Sequence, residues 1–204
     1  TAEQENLRSV ISQRKLTPVF AVPGEDLRLL SLQIAAEERR HLARSLPFML
    51  EEELSEDISS LHFASVPRDK LDYAVAICSR EKMESYQTLL SQFPGVKHWL
   101  PDPLLLPWNP GEWCLVVEWE RAIARVGDRE GFAVELQMLN MMLEAVKLQA
   151  GAPEAIVIYG RDQAAETALV PEELQAAVQW RQGDLYAAMM ISEMPAQPLN
   201  LRQG

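Results

Sequence analysis

The sequence predicts an α/β protein built as two lobes with mixed sheets. In the second half, three strand-like runs follow one another and lead into a helix, a short apolar strand and another helix. In the first half, helical and strand-like runs alternate. A turn at Pro94-Gly95 and a connection with four prolines, residues 101–110, lie between the halves. We therefore predict a first lobe over residues 1–94, a second lobe over residues 95–191 and a linker over residues 192–204.

The elements of the first lobe follow from local sequence patterns. Thr1 begins a capping box that opens an N-terminal helix, and Ser79 caps the last helix of the lobe. Alternating apolar and polar residues indicate strands between the helices. The predicted strands run over residues 17–22, 27–34, 61–66 and 73–78, and the predicted middle helix runs over residues 37–54.

The middle helix, residues 37–54, combines an apolar ridge with an acidic side. Pro47 removes a backbone donor and crowds the preceding turn, which predicts a kink or a restart near Leu46. We predict that the carboxylates of the acidic side form a partner-binding surface, and the alternative is an ordinary solvated helix face. The ridge repeats every four residues and contains Leu42, Leu46, Leu50, Leu54 and Ile58. The acidic side contains Glu51, Glu52, Glu53, Glu56 and Asp57.

The second lobe has the element order of an RNase-H-like half, and two such halves make the actin-like ATPase architecture. Its long helix, residues 135–150, is apolar on nearly every side, which indicates a buried helix. We interpret Met138, Met141 and Met142 in this helix as core filler. The predicted strands run over residues 96–100, 113–119, 121–126, 132–134 and 156–159. One further helix is predicted to begin at residue 171, and another is predicted over residues 184–191.

Composition excludes several kinds of partner and site. The net charge of −11 opposes binding to nucleic acid or to an anionic membrane surface and favours a basic protein partner. Cys78 and Cys114 each lie in an apolar strand-like run, which predicts buried, reduced thiols. The three histidines are scattered without metal-ligand spacing. The sequence also contains no apolar run of the roughly 20 residues that a membrane-spanning helix needs.

An actin-like fold raises the hypothesis of nucleotide binding, and the sequence speaks against it. A phosphate-binding hairpin needs glycines, so that backbone donors can approach the phosphates. Glu118 could supply the acidic residue of such a hairpin, but Trp119 and Arg121 stand where glycines are required. The later strand ends with Gly160 alone instead of a glycine pair, and no Walker-type loop or GxGxxG motif is present. We therefore predict a degenerate nucleotide site without catalytic, cofactor-binding or metal-binding residues. The alternative is a nucleotide-binding ATPase of the pilus-assembly type.

Two segments resemble a known family, the type II secretion platform protein L, also called general secretory pathway protein L. The second segment, residues 199–204, is similar to the stretch before that family's transmembrane helix, although Arg202 stands where the family pattern has a leucine. The first segment is similar to the signature of the family's cytoplasmic domain through Leu46-Pro47-Phe48, Leu50-Glu51-Glu52, Leu54, Asp57 and Leu61-His62-Phe63-Ala64.

The resemblance implies a scaffold of the secretion platform that is not an enzyme. It implies recruitment of the secretion ATPase, protein E of the system, through that ATPase's N-terminal domain. It further implies contacts with platform proteins M and F, and a homodimer. The family also implies a position on the cytoplasmic side of the bacterial inner membrane. In such a protein a pair of strands precedes the first helix, and a transmembrane helix and a periplasmic portion follow Gly204.

Overall fold

The computed structural model describes residues 2–14 and 17–203, and Thr1 of the predicted capping box lies outside them. Every strand predicted from the sequence is present, together with one strand, β10, that was not predicted. In the first half the elements are α1 (Ala2–Arg14), β1 (Val19–Val22), β2 (Leu27–Gln33), α2 (Leu42–Leu50), β3 (Leu61–Pro67), β4 (Asp72–Ser79), α3 (Arg80–Leu90) and β5 (His98–Pro101). In the second half they are β6 (Glu112–Glu118), β7 (Arg121–Gly127), β8 (Glu130–Glu135), α4 (Leu136–Ala150), β9 (Ala155–Gly160), α5 (Gln163–Thr167), β10 (Val178–Gln182) and α6 (Leu185–Met190).

The centre of the first half is an antiparallel sheet of three strands in the order β2-β4-β3. Val75 of the middle strand pairs with Leu30 on one side and with Ser65 on the other. Successive residues of a strand point to opposite faces, and each face of this sheet has its own core. The first core is closed by Leu42, Leu46 and Leu50 of α2. The second core contains Tyr86 from α3, Val22 from β1, Trp99 from β5, and Leu199 and Leu201 from the C-terminal segment.

A separate parallel pair joins β1 to β5, with Phe20 opposite Trp99. The predicted lobe boundary near residue 95 lies between these two strands in the sequence, so the pairing crosses it. Parallel strands need a long crossover connection, and here the connection contains the whole three-stranded sheet. No local pattern signals such a pairing.

The middle helix is shorter than predicted. The α-helix begins at Leu42, four residues before the predicted restart, and Pro47 lies inside it. A 3-10 turn over Glu38–His41 precedes the helix, and another over Glu51–Glu53 follows it. Negative charges at the carboxyl end of a helix oppose its dipole, which favours an end before these glutamates. The predicted acidic side is therefore a connection after the helix rather than a helix face.

The second half contains a five-stranded sheet in the order β10-β9-β6-β7-β8. The strands β6, β7 and β8 are antiparallel neighbours, while β9 and β10 run parallel to β6. This is the RNase-H-like arrangement predicted from the element order. The helix α4 packs on one face of the sheet, whereas α6 packs on the other.

Burial of α4 differs from the prediction of a helix covered on every side. Leu139 and Leu143 are fully buried against the sheet. Met138, Met141 and Leu148 are exposed, so Met138 and Met141 are not core filler. Leucine and methionine are also strong helix formers, and their presence on an outer face does not by itself indicate burial.

The region after β9 also differs from the prediction. The helix predicted from residue 171 is a 3-10 helix over Glu172–Ala177, and the chain then enters β10. β10 pairs in parallel with β9, with Trp180 opposite Ile158. The predicted last helix corresponds to α6.

The C-terminal segment packs against the first half. The backbone N–H of Leu201 donates to the carbonyl of Trp99 at 2.9 Å, and the Asn200 side chain accepts from the Trp99 N–H at 3.0 Å. His62 Nε2 lies 2.6 Å from the Leu201 carbonyl oxygen. Leu199 and Leu201 are buried. The end of the predicted linker is thus held by backbone and side-chain bonds to the first half.

Candidate functional site

The turn between β6 and β7 occupies the position of a phosphate-binding hairpin in an actin-like fold. Trp119 in this turn has a φ of 47°, a conformation that is uncommon for residues other than glycine. Its side chain is 84% exposed, and the guanidinium carbon of Arg161 lies 4.9 Å from the centroid of the indole ring. The indole therefore does not fill an internal space. It stacks with a side chain from the end of β9 and covers this turn from outside.

An open depression of about 610 Å³ lies at this turn, lined by Glu118, Trp119, Glu120, Arg121 and Glu135. The lining contains three carboxylates and one cation. Phosphate groups would face net negative charge in this depression, which raises the cost of placing them there.

Glu118, the candidate acidic residue, is engaged within the protein. Its Oε1 accepts a hydrogen bond from the backbone N–H of Leu185, at the start of α6, at 3.3 Å. Its Oε2 lies 3.9 Å from Nε of Arg121. The carboxylate thus connects β6 to α6.

Arg121 contributes to an ion cluster between the two halves, which we call the interlobe clasp and define as Glu25, Asp102 and Arg121. Arg121 donates to Glu25 Oε1 and to Asp102 Oδ2, each at 2.9 Å. The other Asp102 oxygen accepts from the backbone N–H of Gly24 at 2.9 Å. Asp102 is 2% exposed, and burial raises its pKa to about 6 although Arg121 acts in the opposite direction. The cation that lines the depression is therefore already paired with two carboxylates.

Gly160 at the end of β9 stands where an actin-like fold would receive the nucleoside. A Cβ atom at this position would lie 1.8 Å from Oε2 of Glu166. The Glu166 carboxylate accepts from the backbone N–H groups of Arg161 at 2.8 Å and Asp162 at 3.2 Å, and from Trp180 Nε1 at 2.7 Å. The glycine here is required by the protein's own buried glutamate. Sequence reasoning missed Glu166, since no motif marks a lone glutamate six residues after a glycine.

The acidic segment predicted to bind a partner lies on the surface of the first half. All five carboxylate residues are exposed. Asp57 also has a structural role, because its side chain accepts from the backbone N–H of Ser59 at 2.8 Å, and this bond lowers the pKa of Asp57. Within the described part of the chain, the side chains of Glu51, Glu52 and Glu53 make no hydrogen bond or ion pair.

An exposed aromatic residue accompanies this segment and was not predicted as a site residue. Phe48 on α2 is 68% exposed, one helical turn before the glutamates. Pro47 precedes it inside the helix, and the ridge of Leu46 and Leu50 points inward. We call Phe48 together with Glu51, Glu52, Glu53, Glu56 and Asp57 the acidic surface.

Other candidate reactive groups are buried or engaged. Cys78 and Cys114 are buried and unpaired as predicted, and burial raises their pKa values to about 11 and about 12. The Nε2 atom of His62 bonds to the Leu201 carbonyl oxygen. Among the described residues, no group of three or more His, Cys, Asp or Glu side chains is arranged to hold a metal ion.

Comparison with known proteins identifies the family. A family model described as type II secretion system (T2SS), protein L, matches residues 1–204. Type II secretion system protein L of Klebsiella pneumoniae is 33% identical over 136 residues, which is 66% of this chain and 34% of the relative. The protein of the same name from Pectobacterium carotovorum subsp. carotovorum is 27% identical over 188 residues, covering 90% of this chain and 43% of the relative. The chain thus spans less than half the length of these relatives.

A solved structure shares the fold. It is the cytoplasmic domain of EpsL, described as an inner membrane component of the type II secretion system of Vibrio cholerae. The TM-score is 0.70 at 20% sequence identity, with 98% of this chain and 84% of the solved chain covered. The predicted α/β fold class of the actin-like ATPase type is confirmed.

Within residues 2–14 and 17–203, no helix combines the length and the apolarity that crossing a bilayer requires. The two segments that suggested the family from sequence lie inside the matched range. The chain belongs to the family of type II secretion system protein L, a component of that secretion machinery.

Proposed function

We propose that this chain is the docking body of a type II secretion protein L that recruits the secretion ATPase, protein E, to the cytoplasmic side of the inner membrane. In this proposal the chain binds the N-terminal domain of the ATPase and catalyses no reaction itself. Contacts with platform proteins M and F, a homodimer, and a transmembrane helix beyond Gly204 complete the scaffold role. Family membership supports a place in this secretion machinery, since the matching relatives are type II secretion system protein L.

The observation that carries the proposal is the acidic surface. Phe48 offers an exposed aromatic group, and the neighbouring Glu51, Glu52 and Glu53 have no side-chain partner in the described part of the chain. Aromatic anchors supply much of the free energy of binding at interfaces, whereas rim charges mainly raise the association rate and set specificity. We therefore expect a partner surface with an apolar pocket for Phe48, rimmed by lysine or arginine side chains.

The region of the nucleotide site supports a role without catalysis. The depression at the β6–β7 turn is lined by three carboxylates, and Gly160 is packed against Glu166. Arg121 is held in the interlobe clasp. The groups that would bind phosphate are thus absent from this turn or engaged elsewhere.

Binding to the ATPase N-terminal domain tests the proposal. Phe48→Ala should weaken the affinity by at least tenfold, because truncating a hot-spot aromatic group costs about 1.4 kcal/mol or more. Glu51→Lys combined with Glu52→Lys should mainly slow association and reduce its salt dependence. Surface plasmon resonance at low and moderate salt measures both effects.

A matched control separates this surface from the effect of net charge. Glu81 and Glu84 are exposed on α3, so Glu81→Lys with Glu84→Lys makes the same change of charge away from the acidic surface. We expect this pair to bind nearly as well as the unmodified chain. Equal losses in both double variants, or no binding of the unmodified chain at either salt concentration, would count against the proposal.

A further inference from the structure

The outer face of α4 carries no unpaired charge, although the protein has a net charge of −11. The charged residues of this helix, Glu144 and Lys147, pair with each other at 3.1 Å, and Lys147 also bonds to Glu173. The outward-facing side of a surface helix normally carries charged residues. The exposed residues of α4 are Gln137, Met138, Asn140, Met141, Ala145, Leu148, Gln149 and Ala150.

Four of these residues form a continuous apolar row, which we call the α4 stripe and define as Met138, Met141, Ala145 and Leu148. Their spacing of three, four and three residues places them along one side of the helix, as in the seam of a coiled coil. Met138 is 40% exposed, Met141 is 55% exposed and Leu148 is 83% exposed. The opposite side of the helix, with Leu139 and Leu143, already packs on the sheet.

We propose that the α4 stripe binds the α4 stripe of a second copy of this chain, with the two helices antiparallel about a two-fold axis. The spacing of three, four and three residues is the same in both directions along the helix. This symmetry suits a two-fold interface, in which the same surface of each copy must fit itself. Met138 then faces Leu148 of the second copy, and Met141 faces Ala145. In the two central pairs the long side chain of Met141 lies against the small side chain of Ala145. Methionine is flexible and can fill the space beside an alanine.

Charge favours a second copy over a basic partner at this face. Two bodies that each carry a charge of −11 repel one another, and a neutral surface adds the least repulsion when they come into contact. In the antiparallel arrangement Gln137 faces Gln149, and these amides can exchange hydrogen bonds without charge repulsion. The acidic surface around Phe48 has the opposite character and suits a basic partner.

The size of the stripe makes the association weak. A helix of 15 residues is about 22 Å long at 1.5 Å per residue. One face of such a helix buries less than the roughly 800 Å² per partner of a standard interface. The dimer therefore forms at high local concentration. This inference rests on the homodimer in the proposed function and assigns it a surface separate from the acidic surface.

Sedimentation equilibrium from micromolar to millimolar concentration tests the α4 stripe. We expect a reversible monomer–dimer equilibrium, and Met141→Glu should weaken it by at least about tenfold, because each copy would bury an unpaired carboxylate against Ala145 of the other. Met190→Glu provides the control, since Met190 is 86% exposed on α6 outside the stripe. A chain that stays monomeric throughout, or a dimer that Met141→Glu leaves unchanged or that both variants weaken equally, would overturn the inference.

Cysteine cross-linking tests the direction of the helices. Chains with Met138→Cys and chains with Leu148→Cys should form disulfide-linked dimers when mixed, and far fewer when each is oxidised alone. The native cysteines are buried and should not interfere. Efficient cross-linking of either variant with itself would show a parallel pair and contradict the assignment. ATPase binding by Met141→Glu separates the two proposals, since we expect it to remain even where dimerisation is lost.

Discussion

At the end of β9, Gly160 lies against the carboxylate of Glu166, and Arg161 stacks on Trp119 of the facing turn. Two of these features could be anticipated from the sequence, because an indole in a phosphate hairpin and a single glycine are visible as departures from a motif. The role of Glu166 could not be anticipated, since its contact with Gly160 depends on how α5 packs against the end of β9. One buried carboxylate thus gives a physical reason for a glycine that would otherwise suggest a nucleotide site.

Gly160→Ala tests this assignment. The new methyl group would overlap a carboxylate that is fixed by three hydrogen bonds, so we expect the free energy of unfolding to fall by about 3 kcal/mol. Chemical denaturation measures the loss. Gly95→Ala is the control, because nothing lies within 4 Å of its Cβ position, and we expect it to be neutral or slightly stabilising. Equal stability of the two variants would contradict the contact between Gly160 and Glu166.

At the scale of elements, strands were predicted better than helices. Alternation and short apolar runs identify a strand locally, but they do not reveal its partner, and the pairing of β1 with β5 spans the three-stranded sheet. The acidic run was assigned to a helix face because the apolar ridge continues past Leu50, whereas the α-helix ends there. β10 was missed because Leu174, Ala177 and Val178 have helical spacing, although the chain becomes extended at Val178.

The outer face of α4 shows that burial, too, is only partly predictable from the sequence. Apolar residues all round a helix indicate burial all round, and here the sheet covers only one side of the helix. The excess apolar residues then require a different explanation, which the proposed self-association supplies. The structure thus changes the interpretation of Met138 and Met141 from core filler to surface.

At the scale of the whole molecule, the interlobe clasp joins the two halves through Asp102, Glu25 and Arg121. Gly24 adds a backbone bond to the same carboxylate, and a Cβ atom there would lie 2.8 Å from that of Ala133. Arg121 is therefore paired with two carboxylates and is not free to bind a phosphate at this turn.

The clasp predicts a pH dependence of stability. Burial raises the pKa of Asp102 to about 6 from 3.8, so the folded protein keeps this proton to a higher pH than the unfolded chain does. The contribution of Asp102 to stability is therefore greatest at acidic pH and is lost as the pH rises through about 6. Asp102→Asn resembles the protonated form. Relative to the unmodified chain, it should gain on the order of 3 kcal/mol in free energy of unfolding between pH 4 and pH 7.

Denaturation curves of both proteins across this pH range measure the difference. Asp69→Asn provides the control, because it makes the same change of side chain in an exposed turn outside the clasp. A constant difference for Asp102→Asn, or one that falls as the pH rises, would contradict the prediction, because it would mean that Arg121 stabilises the buried carboxylate at least as much as burial opposes it.

The central claim is that this protein binds other proteins and performs no reaction on a nucleotide. Calorimetric titration of the protein with ATP and magnesium tests this claim most directly. We predict no saturable heat up to millimolar ATP, because the turn presents carboxylates and Arg121 is held in the interlobe clasp. Saturable binding in the micromolar range would contradict the account and favour a working actin-like ATPase.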